Sequence, residues 1–498
     1  MLVIESPSKL RIPSSVQRER LERLLTYSDN RAAQDLTRFR QSWRGKTLKS
    51  EDPEQYQTEL NIFKAKVDCS ALFEDEKGYW TYSGLAPLLR DQLGLRIEQT
   101  YPISRPWAMS WIKTPPPPRY YQMRSSPNDP PGAVDIMLEN PHCCIELPTG
   151  SGKSWIIRQL CREVGGKTTV MVPYKQVAQQ LHRDLSDHLG APWVGQFFDG
   201  KKDSGRKITV ATPQSLLRVE PGSEHWDNLS KTEVFIPDES HMIPVETVAK
   251  VCMGVMGNAQ RRWFLSGTQM RTDGRQLVLD GLTGPCVMRI QPREGIERGW
   301  LARPEFIMLN VRSSSDYSSS DVVREIRAHL YKNPQVTSIL GRTVSAVANQ
   351  GDKVLVLIDE VGQVSHLLPH LRCGVKLAHG DSQKKDSELP LEMRRSNPLA
   401  LVEEFNAGKI PALLGTGCVG TGVDFRPPGP MSMFWLVGGQ SEIAFRQGVG
   451  RALRIEGKSE VKIFIPDVVN VPSLHRHAEK LREICTDIWT IPREIVLT

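Results

Sequence analysis

The stretch CCIELPTGSGKSW, residues 143 to 155, has the residue types of a phosphate cradle. Cys143, Cys144, Ile145 and Leu147 read as a strand, Pro148-Thr149-Gly150-Ser151-Gly152 as a loop, and a helical pattern begins at Lys153. In that order the glycines let backbone N–H groups face phosphate oxygens, Lys153 reaches the terminal phosphates, and Ser154 offers its hydroxyl to Mg2+. The helix adds its positive N-terminal end. The general spacing G-x-x-x-x-G-K-[ST] asks for glycine where Leu147 stands. Alone, the loop leaves open a Gly/Ser-rich turn that only caps a helix.

A carboxylate pair follows in Pro237-Asp238-Glu239-Ser240-His241, directly after the apolar EVFI. At the end of a parallel strand beside a phosphate loop, Asp238 would hold Mg2+ through water, and Glu239 would orient and deprotonate an attacking water. By itself the sequence would read as a surface turn. It is followed by FLSGT, with Ser266, Gly267 and Thr268, then by GTGCVGTGVDF (415–425) and QGVGRALR (447–454). Arg451 and Arg454 stand three apart, on one face of an expected helix, with Gln447 one turn upstream. Two such arginines suit stabilisation of charge in phosphoryl transfer.

The elements that must position these groups alternate regularly. Short apolar runs CCIEL, TTVMV, ITVA, EVFI and RWFLS are separated by helical patterns, and the alternation restarts with FIMLNV, KVLVLI, VKLAHG, ALLGT, MFWLVG and VKIFIP. This predicts two α/β domains with parallel sheets. Pro115 to Pro118 mark a stiff boundary, so residues 1–114 form a small mixed domain. Arg31, Arg38, Arg40, Arg44, Lys46 and Lys49 accompany Phe39 and Trp43 there. Such a segment suits tracking of a phosphate backbone with base stacking, or equally a solvated helix face. RSSSDYSSSD (312–321) reads as a loop with Asp321 as an N-cap. In the tail, Leu474, Ala478, Leu481, Cys485 and Ile488 make a helical stripe that packs on the preceding domain or docks a partner. His475 and His477 read as surface residues.

Taken together, Arg119-Tyr120-Tyr121-Gln122, LPTGSGKS, VPYKQVAQQ, ATPQSL, PDESH, LSGT, GTGCVGTGVDF and QGVGRALR resemble, in order and spacing, the motif series of superfamily 2 DExH helicases. The resemblance covers about residues 119–470, and within it the phosphate loop commonly reads x-P-T-G-x-G-K-[ST], which accounts for Leu147. It implies two tandem RecA-like motor domains, 119–298 and 299–470, with a small α+β N-terminal domain (1–114) and a short helical tail (471–498).

Position by position, the resemblance implies that Gln122 reads adenine, flanked by Arg119 and Tyr121. Thr149, Gly150, Ser151, Gly152, Lys153 and Ser154 would cradle ATP and Mg2+, with Asp238 holding the metal through water and Glu239 holding the attacking water. Gln447, Arg451 and Arg454 would close on the triphosphate. Gly422 and Asp424 would lie between ATP and nucleic acid. Pro173, Tyr174, Lys175, Thr212, Pro213, Gln214 and Thr416 would touch the sugar-phosphate backbone, with Arg38, Arg40, Trp43 and Arg44 as further candidates. His241, Ser266, Gly267 and Thr268 would couple hydrolysis to movement.

Ser240-His241 replaces the Ala-Asp of DEAD-box RNA helicases, PREGIERGWLARPEF (292–306) is similar to DNA-translocating members, and the layout looks like the phage UvsW-type helicases. The resulting expectation is an ATP-dependent DNA helicase or translocase on branched or partly duplex DNA, in repair, recombination or replication. Single-strand-binding or recombination proteins would be its partners. An RNA helicase, a translocase subunit of a restriction or defence assembly, and a nucleotide-gated clamp without turnover are the alternatives.

Composition agrees without deciding. A net charge of +7 allows a polyanionic partner. Nine scattered cysteines with no C-x-x-C pair argue against a disulfide framework or zinc site and for a reducing compartment. No run of 18 apolar residues and no signal-like N-terminus is present, so a cytoplasmic protein of a bacterium or phage-infected cell is expected, with no membrane contact.

Overall fold

The computed structural model describes residues 1–103, 107–267, 274–379, 389, 393, 397–416, 425–439, 442–454 and 459–497, with only the backbone of 241 and 443. Thr268, Gly422 and Asp424 lie outside the described residues. The chain divides into two units, Met1–Leu147 with Gly152–Arg289, and Pro148–Ser151 with Ile290–Thr498.

The first unit begins with β1 (Leu2–Ser6), β2 (Lys9–Arg11), β3 (Thr26–Ser28), β4 (Asp68–Ser70), β5 (Phe73–Asp75), β6 (Gly78–Tyr82) and β7 (Ile97–Gln99). Five of these form a mixed sheet in the order β5-β6-β2-β1-β7, and β3 pairs with β4. Helices Asn30–Gln41, Trp43–Glu51 and Pro53–Val67 lie between β3 and β4 in sequence, which makes this region α+β.

A seven-stranded sheet follows, built from β8 (His142–Glu146), β9 (Thr168–Met171), β10 (Val194–Phe197), β11 (Ile208–Ala211), β12 (Val234–Pro237), β13 (Arg261–Ser266) and β14 (Cys286–Arg289). Its order is β10-β11-β9-β12-β13-β8-β14, and every pairing is parallel. β9, β11, β12 and β13 are buried along their whole length. Continuous apolar runs are what a parallel sheet covered on both faces requires.

The N-terminal region is fastened to this sheet. Leu2, Leu10, Leu21, Leu85 and Leu89 share one core with Val248, Val251, Leu279 and Leu282. Arg262, only 1% exposed, donates to Ser8 Oγ (2.6 Å), Cys252 O (2.8 Å) and Met256 O (2.9 Å). Gly84 is required by close approach, since a Cβ there would stand 2.5 Å from the carbonyl oxygen of Asp280. Nor are the four prolines a free spacer. Trp107 N donates to Val164 O (3.1 Å), Met109 N to Arg162 O (2.8 Å) and Ile112 N to His188 O (2.9 Å), while Trp155 Nε1 reaches Pro116 O (2.9 Å). The segment is a strap along helices Lys153–Val164 and Lys175–Leu189.

At the same junction, His142 Nε2 lies 2.8 Å from Leu282 O and Nδ1 3.4 Å from Ser83 Oγ. Burial first, and then the Arg262 charge, push its pKa down to about 4. The unfolded chain therefore binds a proton from about pH 6.5 downward that the folded chain takes up only near 4. Stability from neutral His142 is complete above about pH 6.5 and declines as pH falls toward the folded value, by about 2 kcal/mol at pH 5. Urea titrations of wild type and His142→Gln should show the wild type losing stability more steeply between neutral pH and pH 5; parallel losses would refute this assignment.

The second unit contains β15 (Arg303–Val311), β16 (Lys353–Ile358), β17 (Val375–Ala378), β18 (Ala412–Gly415), β19 (Met431–Leu436), β20 (Glu460–Val468) and β21 (Arg493–Val496). Their order is β17-β18-β16-β19-β20-β15-β21, again with parallel pairings. The tail departs from a purely helical one: after helix Pro472–Ile488 it supplies β21 as an edge strand on β15. Leu474, Ala478, Leu481 and Cys485 are buried in this unit, and Ile488 packs against its core. The stripe is thus covered from within rather than left for a partner. His475 is not merely a surface residue, since its Nδ1 lies 2.9 Å from Oδ1 of the buried Asp467. The serine-rich loop is ordered around His329, whose Nδ1 meets Ser313 Oγ at 2.8 Å and whose Nε2 meets Tyr317 O at 2.8 Å. Asp321 caps the next helix, accepting from Val323 N (3.0 Å).

Candidate nucleotide site and nucleic-acid-facing residues

The candidates in the first unit gather at the carboxyl ends of its parallel strands, where open α/β sheets place their ligands. After β8 the chain turns through Gly150 (φ 96°) and Gly152 (φ 83°) into helix Lys153–Val164. A left-handed backbone favours glycine at 152, and a Cβ there, 2.5 Å from Gln122 Nε2, would push the Gln122 amide away from the loop. Ser266, at the end of β13, accepts through its carbonyl from Leu147 N (2.9 Å) and pins the approach to the loop.

Lys153 is 8% exposed, and its Nζ lies 3.0 Å from Glu239 Oε1 and 3.3 Å from Leu147 O. Glu239 Oε2 accepts from Gly267 N (3.1 Å), and Asp238 Oδ1 accepts from Glu239 N (2.9 Å). Asp238 is itself held by its N–H on Met171 O (2.9 Å) and is 7% exposed. Glu239 adopts φ 48°, a left-handed backbone that costs a non-glycine residue of order 1 kcal/mol and collects at functional sites. The structure thus brings Lys153, Asp238, Glu239, Ser266 and Gly267 together. The motif spacing did not reveal the Lys153–Glu239 pair or the strained turn behind it.

Gln122 is buried; its Oε1 accepts from Arg119 N (2.9 Å) and its Nε2 donates to Gly152 O (3.3 Å). Arg119 Nη1 donates to Tyr121 Oη (3.0 Å). Ser154 is exposed at the start of its helix. The donor set fits Mg2+, which takes hard oxygen ligands such as the Ser154 hydroxyl and the Asp238 carboxylate.

Tyr174 is the N-cap of helix Lys175–Leu189 and follows Pro173. Lys175 Nζ pairs with Asp199 Oδ1 at 2.6 Å. Thr212 caps helix Pro213–Leu217, and Gln214 is exposed there. Arg38, Arg40, Trp43 and Arg44 are exposed, Trp43 at 82%, and Arg44 pairs with Glu59 (2.7 Å). Phe39 is no stacking platform: it is buried against Phe63, with ring centroids 4.8 Å apart.

Within the second unit, Thr149, Gly150 and Ser151 fall in the piece Pro148–Ser151, and Thr416 N donates to Ala378 O (3.2 Å) just past β18. Gln447 and Arg451 lie one turn apart on helix Glu442–Ala452, both buried. Arg454 departs from the expected shared helix face: the helix ends at Ala452, and Arg454 is in a β-bridge with Leu301. Ala302 N on Leu453 O (2.8 Å) pulls the chain out of the helix there.

Residues 118–268 match a family model described as the res subunit of type III restriction enzymes. Over 172 residues the chain is 26% identical to the DNA 3'-5' helicase XPB of Mycobacterium tuberculosis, a match covering 34% of this chain and 31% of that protein. The aligned stretch is thus about a third of that relative. S. cerevisiae Dbp5 bound to RNA and ADP BeF3 matches the fold at TM-score 0.50 and 14% identity, over 73% of this chain and 87% of that one. T4 UvsW aligns over 100% of this chain and 99% of its own, at 14% identity and TM-score 0.41. In motif order, tandem parallel-sheet fold and sequence, the chain is similar to the superfamily 2 helicases.

Proposed function

We propose that this chain is an ATP-driven motor on DNA that unwinds, anneals or branch-migrates branched or partly duplex substrates. The observation that carries the proposal is the group at the strand ends: Lys153 paired with Glu239 at 3.0 Å beside Asp238 and the glycine-turned loop. A phosphate loop used only as a clamp has no need of a general base tethered this way.

ATP is the substrate, and Mg2+, which Ser154 would bind and Asp238 would hold through water, would supply charge neutralisation at the phosphates. The chain's own residues supply the rest. Lys153 is held by Glu239, so a terminal phosphate that takes Lys153 releases the Glu239 carboxylate to accept a proton from water. Gly267 N keeps that carboxylate oriented and ties its state to the segment after β13. Gln122 joins the base-reading segment to Gly152 at the loop. Gln447, Arg451 and Arg454 would meet the developing charge. Pro173 to Lys175, Thr212 to Gln214 and Thr416 would grip the backbone without reading sequence. Among the described residues no helix is long and apolar enough to cross a membrane. We place the protein in the cytoplasm, with single-strand-binding or recombination proteins as partners.

The test is steady-state ATPase with single-stranded DNA, duplex DNA, a four-way junction and structured RNA, beside Lys153→Ala. Strongest stimulation by the junction, lost in the variant, is expected. Stimulation by RNA alone would replace the DNA reading with the RNA one.

A further inference from the structure

The second unit holds a polar cluster that lies outside every motif of the sequence. Asp467 on β20, and His475 and Glu479 on helix Pro472–Ile488, place one donor atom each within 4.8 Å of one another. The i, i+4 spacing puts the imidazole and the second carboxylate on one helix face. Asp467 is poorly compensated for so deep a charge. Its side chain is 1% exposed, and among the described residues its one hydrogen-bond partner is His475 Nδ1, 2.9 Å from Oδ1 and 3.0 Å from Oδ2. One N–H shared between two oxygens leaves most of a carboxylate's acceptor capacity unused. Burial accordingly pushes the Asp467 pKa up.

The neighbouring strand adds an orphaned acceptor. Asn310 on β15 is paired in register with Asp467, so the two side chains share a face of the sheet. Asn310 Nδ2 donates to Glu494 Oε2 (3.1 Å), yet its Oδ1 is buried without a hydrogen-bond partner. Arg482, one turn beyond Glu479, closes the ring: Nε donates to Glu479 Oε1 (3.0 Å) and Nη1 to Glu494 Oε1 (2.6 Å). Three carboxylates thus face one permanent cation, a deficit of two positive charges when His475 is neutral. A buried carboxylate with that deficit needs either a proton or a cation.

We propose that Asp467, His475 and Glu479 are the protein ligands of a divalent transition-metal ion, of the Zn2+ class, that fastens the tail helix to β20. The site is independent of the motor reading. Bonds of about 2.0 to 2.2 Å would bring the donor atoms to roughly 3.5 Å apart, a contraction of about 1 Å. The ends of His475 and Glu479 are free to make it, since both side chains are 44% exposed. On binding, the metal takes the place of the Nδ1 proton, which moves to Nε2 or, from the imidazolium, to solvent. Arg482 keeps Glu479 oriented through Oε1, and Asn310 Oδ1 offers an acceptor for a metal-bound water. An imidazole in the donor set selects Zn2+ and its neighbours over Mg2+.

The test uses the full chain, stripped with EDTA, dialysed and held in excess Mg2+, with Zn2+ binding read by competition with a chromophoric chelator. Wild type should hold one Zn2+ per chain that His475→Gln and Glu479→Gln each bind at least about tenfold more weakly, since even an outer partner of a metal site is worth about 10- to 100-fold. Zn2+ taken up by thiols would be common to all the proteins and cancels in the comparison. His477→Gln, two residues along the same helix and outside the cluster, should bind as wild type does. Zn2+ should also raise the unfolding midpoint of wild type and His477→Gln but not of the two ligand variants. Midpoints without metal serve as the fold control, and Glu479→Gln keeps an oxygen for Arg482. Equal Zn2+ affinity in wild type and both ligand variants, or no Zn2+ bound by wild type, would refute the site. A loss in His477→Gln as large as that in His475→Gln would refute it too, because the metal would then lie elsewhere on the helix.

Discussion

Glu239→Gln is expected to lower ATP turnover by about 10²- to 10⁴-fold, the usual contribution of a positioned general base. The amide keeps an oxygen for Gly267 N but can neither take a proton nor neutralise Lys153. Lys153, 8% exposed and now without its 3.0 Å counter-charge, should favour any phosphate that replaces it. Nucleotide affinity should therefore hold or improve while turnover collapses. Binding of a fluorescent nucleotide beside single-turnover hydrolysis separates the two. Turnover within a few-fold of wild type would remove Glu239 from the chemistry, and lost binding would make the pair a structural requirement of the cradle.

Arg262→Ala is expected to cost about 3 kcal/mol or more of stability in the first unit, the range for losing a buried, multiply bonded side chain. The substitution strips donors from Cys252 O, Met256 O and Ser8 Oγ at once, and leaves a cavity between Ser8 and the Cys252 to Met256 segment. Water reaches these carbonyls poorly, so they keep most of their desolvation penalty. Denaturant unfolding should show a lowered midpoint. Proteolysis should cut residues of the N-terminal region first, because their polar tie to β13 is gone. A midpoint unchanged from wild type would show that the guanidinium's own desolvation had cancelled its hydrogen bonds.

Much of this architecture was legible because parallel strands leave a strong trace. Eleven near-continuous apolar runs predicted β8, β9, β11, β12 and β13, then β15 through β20, since a strand covered on both faces has little room for polar residues. In the two parallel sheets, the strands that escaped lie at the edges. β10 contains Gly195 and Gln196, β14 is partly exposed, and β21 (REIV) carries a charged pair and is mostly exposed. Strands of only four residues, broken by glycine and glutamine as in β10 or half-solvated as in β14 and β21, give no period to read. The site followed the same division. Motif order named Lys153, Asp238 and Glu239, because each chemistry needs its residue type at its spacing. The Lys153–Glu239 pair, the left-handed turn at Glu239 and the strap at Trp107 to Pro118 depend on backbone geometry between distant segments, which no local pattern encodes. Arg454 was misplaced for a related reason: helix spacing continued smoothly past Ala452, but the backbone of Leu453 was claimed by Ala302.

The position of β15 has a consequence for synthesis. It is the first strand of the second unit to leave the ribosome, yet its two neighbours are β20 and β21, the last to be made. At about 5 to 20 residues per second, β15 waits on the order of ten seconds or more for a partner. Throughout that interval Phe306, Ile307, Met308 and Leu309, all buried in the finished sheet, have no native strand on either side. The nascent second unit thus needs protection over this interval, and slowed translation between β15 and β20 would lengthen the exposure.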